Sequence, residues 1–211
     1  MMKKLFAPIL FCFAVLLPLA AQANTAQQVV QKTVDQMIHE LTTRRAEFQQ
    51  DPELFYQSLN GILSPVTDFP GIARGVMTAK FIGRASKDQM SRFEETFKRS
   101  LVQFYGNALL SYNNQAIRVL PSNGRDSAER ASVDMEVQGD NGALYKVSYT
   151  MVNNAGQWQL RNVIIEGINV GKLFRDQFAD AMRRNGNNMD KVIDSWADTV
   201  ARARKAAEDQ Q

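Results

Sequence analysis

The spacing of apolar residues changes twice along this chain, and this change limits the possible fold more than any other feature. Up to Tyr112, and again from Val170, apolar residues recur at steps of three, four and seven, which is typical of amphipathic helices. Between these regions apolar and polar residues alternate, as in strands with one buried face. Short connections between the alternating segments favour an antiparallel meander. The sequence therefore predicts an α+β fold in which helices cover one face of an antiparallel sheet.

Capping and turn residues predict where the elements begin and end. Helix boundaries are expected at Asn24 or Thr25, at Asp51-Pro52, at a capping box from Ser86 to Gln89, at Asn185-Gly186 and at Asn188. A short helix is expected over about residues 71 to 79. Strands are expected at residues 117–120, 131–137, 145–151 and 158–165, with a turn at Asp140-Asn141-Gly142. About six helices and a sheet of four to five strands result.

The N-terminus has the three parts of a secretory signal peptide. Lys3 and Lys4 form a positive region, residues 5–20 form an apolar run, and Ala21-Gln22-Ala23 has the small residues that signal peptidase accepts. The apolar run is shorter than the about 20 residues that a membrane-spanning helix needs. We therefore expect that residues 1–23 are a cleaved signal peptide and that residues 24–211 form a single domain.

Removal of the signal peptide would also remove the only cysteine and two of the positive charges. Cys12 is the only cysteine, so the remaining chain would have no disulfide, no thiol nucleophile and no cysteine–metal site. Lys3 and Lys4 are the only charges lost, and the formal net charge of +3 would fall by two. A nearly neutral protein does not have the basic surface that nucleic-acid partners need.

Few residues point to catalysis. His39 is the only histidine, and the sequence has neither a Walker loop nor a GxGxxG motif. Asp68 and Glu166 lie at junctions between predicted elements, where they are candidate acid–base groups. We expect each to be a helix cap or a buried ion pair, with Arg74 or Arg175 as partner, because structural ion pairs resemble active-site carboxylates. The sequence thus predicts no cofactor, no metal and no enzymatic activity.

The most specific motifs lie in the final third of the chain. Trp158 to Asn169 reads WQLRNVIIEGIN, Leu173 to Phe178 reads LFRDQF, and upstream Leu63 to Phe69 reads LSPVTDF. In this order and spacing they resemble the MlaC family, also known from toluene-tolerance operons, whose patterns are W-x-V-x-D-V-x-x-E-G-V-S, Y-R-x-Q-F and L-x-P-x-x-D-F. The chain departs from the family where Met77-Thr78-Ala79-Lys80-Phe81 stands for L-G-x-x-W, and where Asn162 replaces an acidic residue.

The resemblance implies a periplasmic phospholipid carrier. In that family, helices and a curved sheet enclose a deep apolar pocket that takes the acyl chains, while the head group stays at the mouth. Members shuttle phospholipid between an outer-membrane lipoprotein–porin complex (MlaA-like) and an inner-membrane ABC transporter that bears an MCE protein (MlaD-like). The implied ligand is a phospholipid. We expect a monomer that helps to maintain the lipid asymmetry of the outer membrane.

Helical spacing and strand parity select the residues expected to line the pocket. These lipid-binding candidates are Val76, Met77, Phe81, Phe97, Leu101, Phe104, Tyr105, Val147, Tyr149, Met151, Val163, Ile165, Phe174 and Phe178. Arg74, Lys172 and Arg175 are candidates for the mouth or a docking surface.

Apolar periodicity is equally typical of a filled core, so three alternatives remain open. The first is a binding protein for another hydrophobic ligand, such as a sterol-like or quinone molecule. The second is an enzyme that uses Asp68 or Glu166. The third is a structural adaptor in the periplasm with a filled core.

Overall fold

The computed structural model describes residues 25–208 except 111, 125, 140 and 141, and the side chains of residues 104, 105, 107, 108 and 203–208 lie outside the described part. The helices in this part are α1 (Ala26–Thr43), α2 (Arg45–Gln50), α3 (Pro52–Leu63), α4 (Phe69–Ile82), α5 (Lys87–Leu110), α6 (Val170–Arg184), α7 (Met189–Asp194) and α8 (Trp196–Glu208), with a 3-10 turn at Ser64–Val66. The strands are β1 (Ile117–Val119), β2 (Arg130–Gln138), β3 (Leu144–Asn154), β4 (Gln157–Ile165) and β5 (Ile168–Asn169). The predicted signal peptide, residues 1–23, lies outside the described residues and stays a prediction.

The helix boundaries follow the predicted caps, but two helices are divided. Thr25 closes a capping box at the start of α1, and Asp51 caps α3. The backbone leaves helical geometry at Arg44, where φ is −118° and ψ is 15°, so the apolar stripe that ends at Phe48 is split between α1 and α2. Ser195 separates α7 from α8 in the same way. These breaks explain why the described residues contain eight α-helices where the sequence predicts about six.

The strands form one antiparallel sheet in the order β1-β2-β3-β4-β5, which confirms the predicted meander. The register pairs Val133 with Tyr149 and Tyr149 with Val163, so alternate residues of the three central strands share one face. One extra residue in β4, Arg161, forms a bulge opposite β3.

Two-residue turns with positive φ close the last hairpins. Glu166 and Gly167, with φ of 48° and 80°, connect β4 to β5. Of the turn predicted between β2 and β3, Asp140 and Asn141 lie outside the described residues, and Gly142 has a φ of 78°. A glycine suits that conformation because it has no Cβ.

Helix α4 is tied to the sheet at its start and bent near its end. Asp68 accepts a hydrogen bond from the N–H of Gly71 at 2.8 Å and forms an ion pair with Arg161 of β4. A Cβ atom at position 71 would collide with both side chains, so the close approach requires glycine. Thr78 has φ 59° and ψ 164°, a conformation that β-branched residues rarely adopt, and it interrupts the helix. The helix extends beyond the predicted residues 71–79 at both ends.

Buried apolar side chains form three clusters. The first, which we call the aromatic cluster, contains residues from the five helices α4, α5, α6, α7 and α8 and is centred on Trp196. The second packs α1 on the sheet, and the third joins α1, α2, α3, α5 and the first residue of α4, Phe69, around Phe48 and Phe55. No helix in the described part of the chain is both long and apolar enough to cross a membrane. The clusters leave part of the apolar face of the sheet only half covered.

Candidate functional site

Paired side chains on β2, β3 and β4 form three apolar rows on one face of the sheet. The rows are Ala131–Met151–Leu160, Val133–Tyr149–Val163 and Met135–Val147–Ile165. Mostly polar and charged residues occupy the opposite face, where the hydroxyls of Ser132 and Ser148 lie 3.2 Å apart. From Met151 to Tyr145 the apolar face is roughly 20 Å long, at about 3.3 Å per residue. The sheet thus presents a continuous apolar surface.

Burial on this face decreases in two directions. The β2 residues of all three rows are buried. Their neighbours in the last two rows on β3 and β4 are only half-buried, namely Val147, Tyr149, Val163 and Ile165. Along the strands, Met151 is 1% exposed, whereas Tyr145 is 37% exposed and Ile168 is 57% exposed. These residues define an apolar cleft over β3 and β4, which we call the sheet cleft; it is closed at Met151 and open at Tyr145 and Ile168.

The position of α1 explains why only part of the face is covered. The helix approaches β1, β2 and β4 more closely than β3, although β3 lies between β2 and β4. The sheet is therefore concave toward α1. Val30 and Val34 pack with the buried residues of β2 and with Met151 of β3, while Val147 and Tyr149 of β3 stay half-buried at the edge of this cluster.

Tyr149 lies in the middle of the sheet cleft. The residues around it on the same face are the apolar Val133, Val147, Met151 and Val163. Burial raises the pKa of the Tyr149 phenol, and no charged group contributes to that change. The side chain nevertheless keeps accessible surface. Tyr149 thus lies in apolar surroundings without being fully enclosed.

The predicted lining residues divide between the aromatic cluster and the sheet cleft. Seven are at most 3% exposed, and all of these except Met151 belong to the aromatic cluster: Val76, Met77, Phe81, Phe97, Met151, Phe174 and Phe178. Five are half-buried: Leu101, Val147, Tyr149, Val163 and Ile165. The side chains of Phe104 and Tyr105 lie outside the described part. The sheet cleft thus brings together four candidates, and contact of any of the fourteen with a ligand stays a prediction.

The sequence reasoning misses two residues at the open end of the cleft. Tyr145 lies on the same face of β3 as Tyr149, so the alternation along this strand is enough to place it among the candidate lining residues. Ile168 lies opposite Ile165 in a strand of two residues. A strand that short gives no periodic signal.

The two candidate carboxylates make structural contacts. Asp68 caps α4 as predicted, but its ion-pair partner is Arg161 and neither Arg74 nor Arg175. The sequence does not suggest this partner. Arg161 is the extra residue of the β4 bulge, and it can reach Asp68 only because residue 71 is a glycine without a side chain. Glu166 accepts a hydrogen bond from the backbone N–H of Lys146, which continues the pairing of β3 with β4 beyond the end of β4. Its predicted cap or ion pair is therefore wrong.

The candidate surface cations differ in their contacts. Arg74 and Arg175 are exposed and form no ion pair with any residue that the structure describes. Lys172 forms an ion pair with Asp176 at 2.7 Å. Their roles at a mouth or docking surface stay predictions.

A surface depression near these residues does not have the character of an apolar site. It has a volume of about 460 Å³ and is lined by Lys80, Asp176, Gln177, Ala179, Asp180 and Arg183. Mostly charged and polar walls are unfavourable for hydrocarbon. Within the described ranges, no group of three or more His, Cys, Asp or Glu side chains is arranged to hold a metal ion.

Fold and site together define a class of protein, an α+β shell whose concave antiparallel sheet presents an apolar cleft. The family model described as MlaC protein matches residues 31–198. The chain therefore belongs to the MlaC family, which confirms the family that the motifs suggest.

Two relatives and one solved structure extend this comparison. The chain is 53% identical over 190 residues to toluene tolerance protein ttg2D of Pseudomonas putida, with 90% of this chain and 88% of that protein covered. It is 22% identical over 174 residues to the intermembrane phospholipid transport system binding protein MlaC of Haemophilus influenzae, with 80% and 81% covered. A phospholipid-binding protein from Ralstonia solanacearum, solved with a phospholipid, has a TM-score of 0.76 at 20% identity and covers 86% of this chain and 99% of its own. This likeness confirms the fold.

Proposed function

We propose that this protein is a periplasmic phospholipid carrier that shields acyl chains in the sheet cleft. The observation that carries the proposal is the half-buried apolar surface of β3 and β4, which is open at Tyr145 and Ile168. The names of its relatives support the choice of ligand, since the Haemophilus influenzae relative is named for phospholipid transport and the Ralstonia solanacearum protein was solved with a phospholipid.

The cost of exposing acyl chains to water explains why a carrier needs such a cleft. Burial of one methylene is worth about 0.8 kcal/mol. The transfer of two chains of about 15 methylenes each into water therefore costs on the order of 20 kcal/mol of free energy. Spontaneous release into the periplasm is too slow to be useful, and transfer requires contact with a partner that offers its own apolar cavity.

The partners follow from the family. The predicted signal peptide would export the chain to the periplasm. There the carrier exchanges lipid with an outer-membrane lipoprotein–porin complex of the MlaA kind and with an MlaD-like MCE protein of an inner-membrane ABC transporter. Arg74 and Arg175, exposed and without an ion pair to a described residue, are candidates for docking to these partners.

We also propose that the protein is a carrier without enzymatic activity. Asp68 is engaged as a helix cap and ion pair, and Glu166 continues a strand ladder. Both carboxylates thus have structural roles, and the energy for directional transport comes from the ATP-hydrolysing partner.

The test is to identify what the protein carries. The mature protein is purified without detergent from the periplasm, and bound material is measured by native mass spectrometry and by solvent extraction. A matched variant, Val163→Trp, places an indole in the sheet cleft and should leave the fold unchanged. Wild-type protein should hold phospholipid at a stoichiometric level, and the variant should hold little or none.

Two results would contradict the proposal. A wild-type protein that binds no lipid, even after incubation with phospholipid vesicles, would support the structural adaptor. A quinone or sterol-like molecule in place of phospholipid would support a carrier of another ligand.

A further inference from the structure

The hydroxyl of Tyr149 is a polar group in an otherwise apolar cleft. Val133, Val147 and Val163 surround it on the sheet face. Along β3, the exposed Tyr145 at the open end is followed on this face by Val147 and then by Tyr149. A valine or phenylalanine would give the same packing without a group that needs a partner. The position of the hydroxyl therefore raises the question of what it binds.

No described residue forms a hydrogen bond with this hydroxyl. Two polar side-chain atoms in the described part are fully enclosed without a partner, Arg161 Nε and Trp196 Nε1. The Tyr149 hydroxyl is not enclosed in that way, because the residue keeps accessible surface. Its nearest neighbours on the sheet face are the apolar residues of the sheet cleft. A hydroxyl in apolar surroundings is unfavourable without a hydrogen-bond acceptor, and here that acceptor has to come from outside the chain.

The surroundings limit what that acceptor can be. Around Tyr149 the sheet face offers only apolar side chains, and no charged group affects the phenol. A phosphate or a free carboxylate would carry a negative charge into this environment, which is strongly unfavourable without a paired cation. A neutral carbonyl oxygen is an acceptor that the site tolerates. In a phospholipid, neutral carbonyls occur where the acyl chains join the glycerol.

We propose that the Tyr149 hydroxyl donates a hydrogen bond to an acyl-ester carbonyl of the bound lipid. This inference rests on the proposed function. It places the ester groups at the Tyr149 row, with the head group on the side of Tyr145 and Ile168. Tyr149 is thereby a specificity residue that favours ester-linked over ether-linked lipids, because ether oxygens are weaker acceptors than ester carbonyls.

A pair of lipids that differ only in this linkage tests the proposal. Delipidated protein is incubated with equal amounts of dipalmitoyl phosphatidylglycerol and dihexadecyl phosphatidylglycerol, its ether-linked counterpart, and the two complexes are counted by native mass spectrometry. Wild-type protein should prefer the diacyl lipid by about fivefold, the effect of one hydrogen bond. The variant Tyr149→Phe should bind both lipids equally, and the control Tyr56→Phe, on α3 outside the sheet cleft, should keep the wild-type preference.

Three results separate failure of this inference from failure of the carrier function. Equal binding of both lipids by wild-type protein overturns the role of Tyr149 and leaves the carrier function intact. An unchanged preference in Tyr149→Phe has the same meaning. If wild-type protein binds neither lipid, the carrier function itself is overturned. The wild-type comparison needs no variant, so the inference remains testable even if Tyr149→Phe folds poorly.

Discussion

The aromatic cluster and the sheet cleft are built from similar apolar residues, but their packing differs. In the cluster, the ring of Phe93 lies 5.0 Å from that of Phe178 and 5.2 Å from that of Trp196, and all three side chains are completely buried. In the cleft, Tyr149 and Val163 are neighbours in one row, yet both are half-buried. Helices α4 to α8 enclose the cluster, whereas α1 buries β3 only near Met151 and leaves Val147 and Tyr149 half-buried.

Under the proposed function, this difference gives the two regions different roles. A closed aromatic core has no room for an acyl chain unless existing contacts are broken. A half-covered face gains contacts when a chain is added. The cluster thus stabilises the fold, and the cleft is available for a ligand. The following variants are chosen to disturb one region without the other.

The largest effect is expected from Trp196→Ala. Removal of a fully buried indole leaves a cavity in the aromatic cluster and should lower the free energy of unfolding by about 3–5 kcal/mol. Denaturant titration monitored by circular dichroism measures this loss. Lipid binding by the folded fraction should be unchanged, and a selective loss of lipid binding would contradict the separation of the two regions.

The next effect concerns Asp68, which connects the helix that enters the cluster to the strand that borders the cleft. Asp68→Ala removes both a helix cap and the partner of Arg161 and should cost about 2 kcal/mol. Asp68→Asn keeps an oxygen that can cap the helix and should cost less. If the two variants lose the same stability, the cap contributes nothing and the ion pair alone connects the elements.

The same substitution at two valines, one in each region, allows the stability of the two regions to be compared directly. Val192 is fully buried in the aromatic cluster, and Val163 is half-buried in the cleft. Val192→Trp should overpack the core and cost about 1–3 kcal/mol. Val163→Trp should change stability by less than about 1 kcal/mol and abolish lipid binding. Thermal melts and native mass spectrometry of both variants are sufficient, and equal destabilisation would contradict the account of the cleft as open space.

The smallest effect is expected from Thr78→Gly. Thr78 has a positive φ that costs a β-branched residue free energy, and glycine adopts this conformation readily. The variant should therefore gain about 1 kcal/mol of stability. Thr78→Ala keeps a Cβ atom and is the control that should gain much less. A loss of stability in Thr78→Gly would show that the threonine side chain, rather than the backbone, determines the free energy at this position.

Local signals in the sequence predicted most of the fold. The capping boxes at Thr25 and Ser86, the cap at Asp51 and the alternation on β2 and β3 each depend on residues close in the chain, and each is observed. The site was less predictable. Phe97 and Tyr149 both satisfy an apolar periodicity, but only the position of α1 over β2 leaves Tyr149 accessible. That position depends on contacts between distant segments, which periodicity does not contain.

The two tryptophans allow the central claim to be tested in a single experiment. Trp158 packs with the apolar face of the sheet near the closed end of the cleft, and Trp196 lies in the aromatic cluster. Bromine atoms near the ends of lipid acyl chains quench tryptophan fluorescence on contact. In the single-tryptophan variants Trp196→Phe and Trp158→Phe, such a brominated phospholipid should quench Trp158 and leave Trp196 unaffected. Quenching of Trp196 without quenching of Trp158 would mean that the chains enter the aromatic cluster, and the assignment of the sheet cleft would be wrong.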